Sequence, residues 1–341
     1  MSNLRFAVLG TGFWSHYQIP AWFEVGGVDL VAVYNRTVSK AEKVAQKFGV
    51  PRVYSDPEEL LQKEQLDFID IITEVPAHAP LIYLAAKYKV PVICQKPMAP
   101  DYETAQKMVD ACRQADIPFF IHENYRWQAS IREVKRIIDA GQIGRPFRGR
   151  FQFMHALEPF VWENQPLLKS LEKLIIADQG SHQLDLARFF FGEASSIYCQ
   201  HLRIRTDIAA EDVASITLKM DNAICNVDMS FVSKTEWGHF PEAFIYIEGT
   251  KGTLELAPDF WIRLTTGQGT RIYRHLPPRY AWADPNYDVN HASMVPLHQD
   301  FLRAFRTGQP PENTGADNLK TMQLVYAAYE SAARNQVIEL G

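Results

Sequence analysis

The chain has 341 residues, of which 47% are hydrophobic and 22% charged, and a net charge of −5. The length suits two domains better than one, and the composition is that of a packed globular protein. The acidic balance and the absence of a Lys/Arg cluster argue against a nucleic-acid partner, and no apolar run reaches the roughly 18 residues of a membrane helix. Residues 4–9 form an apolar run of the kind a parallel strand buried on both faces requires. A second run over 28–33 leads to a helical period over 38–48 that Gly49 ends. Strand patterns at 68–72, 91–94 and 118–121 then alternate with helical patterns at 77–88 and 101–115. That spacing predicts a doubly wound parallel sheet with right-handed crossovers.

The pattern changes near Asn124. A helix over 131–140 leads to the turn-rich run from Gly141 to Pro146. Strands follow without intervening helices at 147–154, 197–204, 213–220, 224–231, 244–248 and 253–256, with further helices at 183–191 and 318–335. The predicted class is α/β. An N-terminal Rossmann domain over 1–124 precedes an α+β domain over 125–341 with a large, mostly antiparallel open sheet. Cys94, Cys112, Cys199 and Cys225 stand far apart and read as free thiols in a reducing compartment, neither a zinc site nor a disulfide framework. With no signal core at the N-terminus, a cytoplasmic location is expected.

Gly10-Thr11-Gly12 follows the first strand directly. Gly10 permits a tight turn, Gly12 lets backbone approach a pyrophosphate, and the next helix offers its positive end. Ser15 takes the third glycine position and is small enough for close packing there. A plain glycine turn is the alternative, but the place behind a buried strand favours a dinucleotide site. Phe13 and Trp14 continue the loop, and Trp14 either borders the nicotinamide end or packs. The second strand ends in Tyr34-Asn35-Arg36-Thr37, with an amide where an acid would hold ribose hydroxyls and repel a 2′-phosphate. Asn35 can bond a ribose hydroxyl, and Arg36 can pair with a phosphate or lie on the adenine, so both NAD and NADP are expected as cofactors. Glu74 and His78, after the strand at 68–72, are placed beside the cofactor.

Oxidising a hydroxyl with a nicotinamide needs a base for its proton and a donor that stabilises developing alkoxide. Lys96, in Gln95-Lys96-Pro97, follows a buried strand at its carboxyl end, where open α/β sheets bind ligands. Its ammonium would polarise the reacting oxygen. His182 is the better base, since histidine titrates near neutrality. Asp178 precedes it by one helical turn and Asp185 follows within one, so either acid would orient the ring. The alternative is a helix N-cap at Asp178 with a hydrogen-bonded histidine behind it. Asn124, Arg126 and Trp127 are expected to face substrate. The long connection over 155–176 carries His155, Phe160, Trp162, Glu163 and Asn164, which suit a sugar's apolar face and hydroxyls, or a subunit contact. The same two readings hold for 280–282 and 287–291. No Cys/His/Glu set has ligand spacing, so no metal is expected.

Taken in order, these segments resemble the Gfo/Idh/MocA family of oxidoreductases over almost the whole chain. The family's Glu-Lys-Pro tripeptide aligns with Gln95-Lys96-Pro97, its acid replaced by an amide. Its Asp-x-x-x-His pattern aligns with Asp178 and His182. Asn124-Tyr125-Arg126 sits where members carry an arginine, and Gly249 and Gly252 fit the turn of a later strand pair. The resemblance implies an NAD(P)-dependent dehydrogenase acting on a sugar or polyol hydroxyl, including aldoses such as apiose. It also implies Gln95 beside the cofactor, a cis bond before Pro97, and a homodimer or homotetramer formed through the open sheet. Val227, Met229 and Phe231, alternating along one strand, are expected on that open face. Two other classes stay open: a dinucleotide-binding sensor without turnover, which the change to Gln95 favours, and redox-assisted NAD-dependent glycoside hydrolysis.

Overall fold

Six strands, β1 (Leu4–Leu9), β2 (Val28–Tyr34), β3 (Arg52–Tyr54), β4 (Phe68–Ile71), β5 (Val92–Gln95) and β6 (Phe119–His122), form a parallel sheet in the order β3-β2-β1-β4-β5-β6. The computed structural model describes residues 2–156, 159–235 and 240–341. The crossovers are α1 (Ser15–Val25), α2 (Val38–Phe48), α3 (Pro57–Lys63), α4 (His78–Tyr88) and α5 (Tyr102–Gln114). Gly49 ends α2 in the left-handed region at φ 69°, where a missing Cβ removes the steric cost. Asp56 and Asp101 cap α3 and α5 by accepting backbone N–H bonds from Glu58 and Thr104. The order of strands reverses at β1/β4, the switch point at which sheets of this kind bind ligands.

The remaining elements are α6 (Ala129–Asp139), β7 (Pro146–Met154), α7 (Pro159–Asn164), α8 (Ile175–Phe191), β8 (Ala194–Leu202), β9 (Val213–Met220), β10 (Ala223–Ser230), β11 (Phe244–Gly249), β12 (Gly252–Ala257), β13 (Trp261–Thr266), β14 (Gly269–Arg274), α9 (Asp288–Thr307), α10 (Gly315–Arg334) and β15 (Ile338–Glu339). Nine strands order as β14-β13-β12-β11-β7-β10-β9-β8-β15. All neighbours pair antiparallel except β7 and β10.

The chain divides into two compact units, one running to Glu123 and including Met294–Met322, the other comprising Asn124–Ser293 and Gln323–Gly341. The sequence assigned all of 125–341 to the second domain, whereas 294–322 return to the first unit. Aromatic packing accounts for the return: in α9, Phe305 stacks on Phe68 at 4.7 Å and Phe301 on Phe120 at 5.5 Å. The Ile121 N–H also bonds the Asn313 carbonyl at 2.9 Å.

The second sheet corrects one expectation. Val227, Met229 and Phe231 are fully buried within the chain, not on an open face. Met229 reaches α8, where a Cβ on Gly180 would lie 3.3 Å from its Cε. Alternation gives two faces but not which one is covered. The opposite face carries a register row of Asn226, Arg150, Tyr246, Glu255, Arg263 and Ile272 across β10, β7, β11, β12, β13 and β14. It is a polar surface, with Arg148–Glu248 and Arg263–Glu255 ion pairs at 3.1 and 2.8 Å and exposed Ile224, Tyr246, Trp261 and Ile272 among them.

The four cysteines are free and buried. No described helix is long and apolar enough to cross a membrane. Among the described residues, no group of three or more His, Cys, Asp or Glu is placed to hold a metal ion.

Candidate functional site

In the first unit, β1 runs into Gly10 at φ +105°, where a Cβ would meet the Ile72 carbonyl oxygen at 2.3 Å. Only glycine fits that close approach of two backbones. A Cβ on Gly12 would meet nothing within 4 Å, so the loop faces open space there. Ser15 ties the loop to the helix, its Oγ donating to the Gly12 carbonyl at 2.7 Å. The first turn of α1 carries no acid, so its positive end is left for an external anion. This loop fits a dinucleotide pyrophosphate. Phe13 packs edge-on against Trp14 and Tyr17, at 5.2 Å each.

At the end of β2, Asn35 Nδ2 donates to Thr11 Oγ1 at 2.8 Å and its Oδ1 accepts the Thr37 N–H at 2.8 Å. The amide thus braces the glycine loop, with Arg36 exposed beside it. Glu74 is exposed and opens the short turn after β4. His78 is fully buried, its ring nitrogens 3.1 Å from the carbonyls of Met98 and Thr73. Burial lowers its pKa, opposed by hydrogen bonding to the carbonyls of Met98, Thr73 and Pro97, and the ring lies between the turn after β4 and the segment after β5. Lys96 is half-buried where β5 ends, and its bond to Pro97 is cis.

In the second unit, α8 begins at Ile175, so Asp178 is not its N-cap. The helix start is held instead by Glu211, a residue the sequence reading missed. Its Oε1 accepts the backbone N–H groups of Leu174 and Ile176 at 3.1 and 3.2 Å and the Tyr329 hydroxyl at 2.6 Å. Asp178 and His182 therefore lie one turn apart on one helix. Asp178 Oδ2 accepts from Gln179 Nε2 at 3.2 Å, and the Tyr125 hydroxyl donates to Gln179 Oε1 at 3.0 Å. His182 is buried, its ring stacked on Tyr125 at 3.8 Å and 11°, which fixes the imidazole plane. Asp185, the other acid considered for orienting His182, makes a bidentate pair with Arg126 at 2.6 and 2.7 Å.

Arg126 is accordingly a buried strut between α8 and the turn that precedes α6. Asn124 is also tied inward, donating to the Asn290 carbonyl at 3.2 Å and Ser293 Oγ at 2.8 Å. Trp162 is buried, with Lys169 and Arg205 over its ring at 5.7 and 5.0 Å. Residues 157 and 158 of the long connection lie outside the described residues. Other parts of that connection come together with Tyr287. Phe160 meets it edge-on at 5.2 Å, Phe240 does so at 5.8 Å, and His155 packs on Phe240 at 5.2 Å. Burial and then the charges of Asp284 and Asp178 raise the Tyr287 phenol pKa, opposed by hydrogen bonds with Asn164 and Gln165. The unit therefore gathers His155, Phe160, Asn164, Asp178 and Tyr287 in one neighbourhood of aromatic faces and polar groups, which suits a polyhydroxylated ligand.

Residues 4–122 match the NAD-binding Rossmann fold of the Gfo/Idh/MocA oxidoreductase family, and residues 131–255 match its C-terminal domain. The chain is 38% identical over 341 residues to a D-apiose dehydrogenase of Paraburkholderia graminis, covering 100% of this chain and 90% of that one. It is 38% identical over 342 residues to a D-apiose dehydrogenase of Rhizobium rhizogenes, covering 100% and 99%. An oxidoreductase from Agrobacterium radiobacter, solved in complex with NAD+, L-tartaric acid and magnesium, superposes with a TM-score of 0.97 at 38% identity, covering 99% of this chain and 98% of that one.

Proposed function

The chain belongs to the Gfo/Idh/MocA oxidoreductase family, and from that premise we propose that it is an NAD(P)-dependent dehydrogenase oxidising a hydroxyl of an aldose such as D-apiose. The observation that carries the reading is the Lys96 turn. It sets a half-buried ammonium at the carboxyl end of β5, in a sheet whose β1 ends in a dinucleotide loop. Gly10, Gly12, Phe13, Trp14 and the amides opening α1 would hold the pyrophosphate side, Asn35 and Arg36 the adenosine ribose, and Glu74, His78 and Gln95 the turns beside them. The bound nicotinamide supplies the hydride acceptor. Lys96 polarises the reacting oxygen, His182 takes its proton, and Asp178 orients the ring or holds a substrate hydroxyl. His155 and the groups around Tyr287 offer a lining for the sugar, while Asn124, Arg126 and Trp162 shape it from behind.

D-Apiose, in a panel of aldoses and polyols followed by absorbance of reduced nicotinamide, should give the highest kcat/KM. Reduction with none of them would overturn the reading and favour a sensor, and retained cofactor without net reduction would favour glycoside hydrolysis. The His182→Ala variant should lose the limb of the pH–rate profile near neutrality, because histidine is the group whose ordinary titration lies there. An unchanged profile moves the base elsewhere.

The polar outer face of the second sheet is read as the contact of a homodimer or homotetramer. Tyr246, 37% exposed at its centre, is the apolar anchor, flanked by Arg150 and Glu255 in register. Light scattering at micromolar concentration should give at least a dimer mass, and Tyr246→Asp should shift it toward monomer. A monomeric wild-type protein contradicts this. The four free, buried thiols suit a reducing compartment, and the cytoplasm is the location we assign.

A further inference from the structure

A buried polar chain crosses the interior of the first unit behind Lys96. Asp70, in the middle of β4, is fully buried. Gln18 Nε2 lies 2.8 Å from both of its carboxylate oxygens, and Trp22 Nε1 donates to Oδ2 at 2.9 Å. Gln18 Oε1 accepts from Gln95 Nε2 at 2.7 Å. The same Gln95 Nε2 lies 3.3 Å from His122 Nδ1, and Gln95 Oε1 accepts the backbone N–H of Lys96 at 3.1 Å. His122 Nε2 is 3.0 Å from Nε2 of His298, whose ring stacks on Trp22 at 4.0 Å.

The direction of this chain follows from donor chemistry. An amide can present either end, and a neutral imidazole can carry its proton on either nitrogen, but an ionised carboxylate only accepts. Burial raises the Asp70 carboxyl to about 6, against hydrogen bonds from Trp22 and Gln18, so at neutral pH it is ionised. Gln18 must then give Nε2 to Asp70 and turn Oε1 toward Gln95. Gln95 must answer with Nε2, which leaves its Oε1 for the Lys96 N–H. The Gln95 donor requires a bare Nδ1 on His122. His122 then carries its proton on Nε2 and donates to His298, which in turn carries its own on Nδ1. Burial keeps His298 neutral, its pKa well below the usual value, and His122 adds to that. A glutamate at position 95 would set an acceptor against the Gln18 oxygen, which explains the amide there in terms of its neighbours.

We propose that Asp70 is a positioning residue for Lys96, acting through Gln18 to fix which end of the Gln95 amide faces the Lys96 backbone. The catalytic consequence rests on the role read above for Lys96, while the direction of the chain does not. Reversing the chain tests it. In Asp70→Asn a donor can face the Gln18 donor, and in Gln95→Glu an acceptor faces the Gln18 acceptor. In the double variant the introduced amide at position 70 donates to Gln18 Oε1, and Gln18 Nε2 donates to the introduced carboxylate at position 95. That carboxylate still accepts the backbone N–H of Lys96. Each single variant should lose about tenfold or more in kcat, and the double should recover to within about threefold of wild type. A double variant no better than the poorer single overturns the proposal. Where one single variant does not fold, the double against the other single decides.

Long-range 1H–15N spectra of the histidine-labelled wild-type protein give a readout that needs no turnover. They should show His122 protonated on Nε2 and His298 on Nδ1, with both assignments exchanged in the double variant. The opposite tautomers in wild type overturn the proposal whatever the enzyme's substrate proves to be.

Discussion

Lys96→Met should lower kcat by about 10²-fold or more, since removing one positioned donor that stabilises a developing alkoxide costs about that much. Methionine keeps an unbranched apolar stem of similar reach and removes only the ammonium. The backbone N–H of residue 96 can still donate to Gln95 Oε1, as it does at 3.1 Å in the native turn, so the local structure has its anchor in the variant too. The pyrophosphate loop at Gly10–Gly12 is untouched, and NAD+ affinity should stay within about threefold while kcat falls, the pattern of an interaction made mainly in the transition state. Steady-state kinetics together with a cofactor titration separate the two quantities. Near-normal turnover would remove Lys96 from the chemistry, and a parallel loss of cofactor affinity would make it a binding residue instead.

The parts of this fold that could be read from the sequence are those whose pattern is local. β1 and α2 match their predicted ranges, since one is buried on both faces and the other shows a clear helical period ended by Gly49. β3, with three residues, and α3, with seven, are too short to show a period. α9 went unread although it has 20 residues, because Pro296 and several polar side chains interrupt its pattern. Its allegiance to the first unit is carried by Phe301 and Phe305, whose partners Phe120 and Phe68 are far away in sequence.

The site divides in the same way. Gly10, Lys96, Asp178 and His182 were discernible as candidates because their chemistry comes with a short spacing. The Asp70 chain was not, since it joins residues 18 and 22 of α1 to residues 70, 95, 122 and 298 of four other elements. One signal was present. An aspartate in the middle of Phe68-Ile69-Asp70-Ile71-Ile72, in a strand read as buried on both faces, must find donors inside the protein. Asp185 was a comparable ambiguity, resolved by its bidentate contact with Arg126 and its pairing with Arg188 at 3.7 Å.

Asn35→Asp should shift the enzyme toward NAD by lowering kcat/KM for NADP+ at least about tenfold while leaving that for NAD+ within about threefold. The two bonds that Asn35 makes survive the change. A carboxylate accepts the Thr37 N–H as the amide oxygen does, and the Thr11 hydroxyl can rotate to donate where it now accepts at 2.8 Å. The glycine loop therefore keeps its brace and the substitution adds little except a negative charge at the end of β2, the place where an acid holds ribose hydroxyls. Against a 2′-phosphate about 5 Å away, at an effective dielectric near 20, each pair of unit charges costs roughly 3 kcal/mol before salt screening. Screening by solvent and by the exposed Arg36 guanidinium beside it reduces that cost, and tenfold corresponds to only about 1.4 kcal/mol. The ratio of the two kcat/KM values at fixed ionic strength is the measurement. Raising the salt should shrink the discrimination, as it must for a charge effect near the surface. A ratio that does not move in Asn35→Asp would mean that residue 35 braces the loop without facing the ribose, and that the choice between NAD and NADP is made elsewhere.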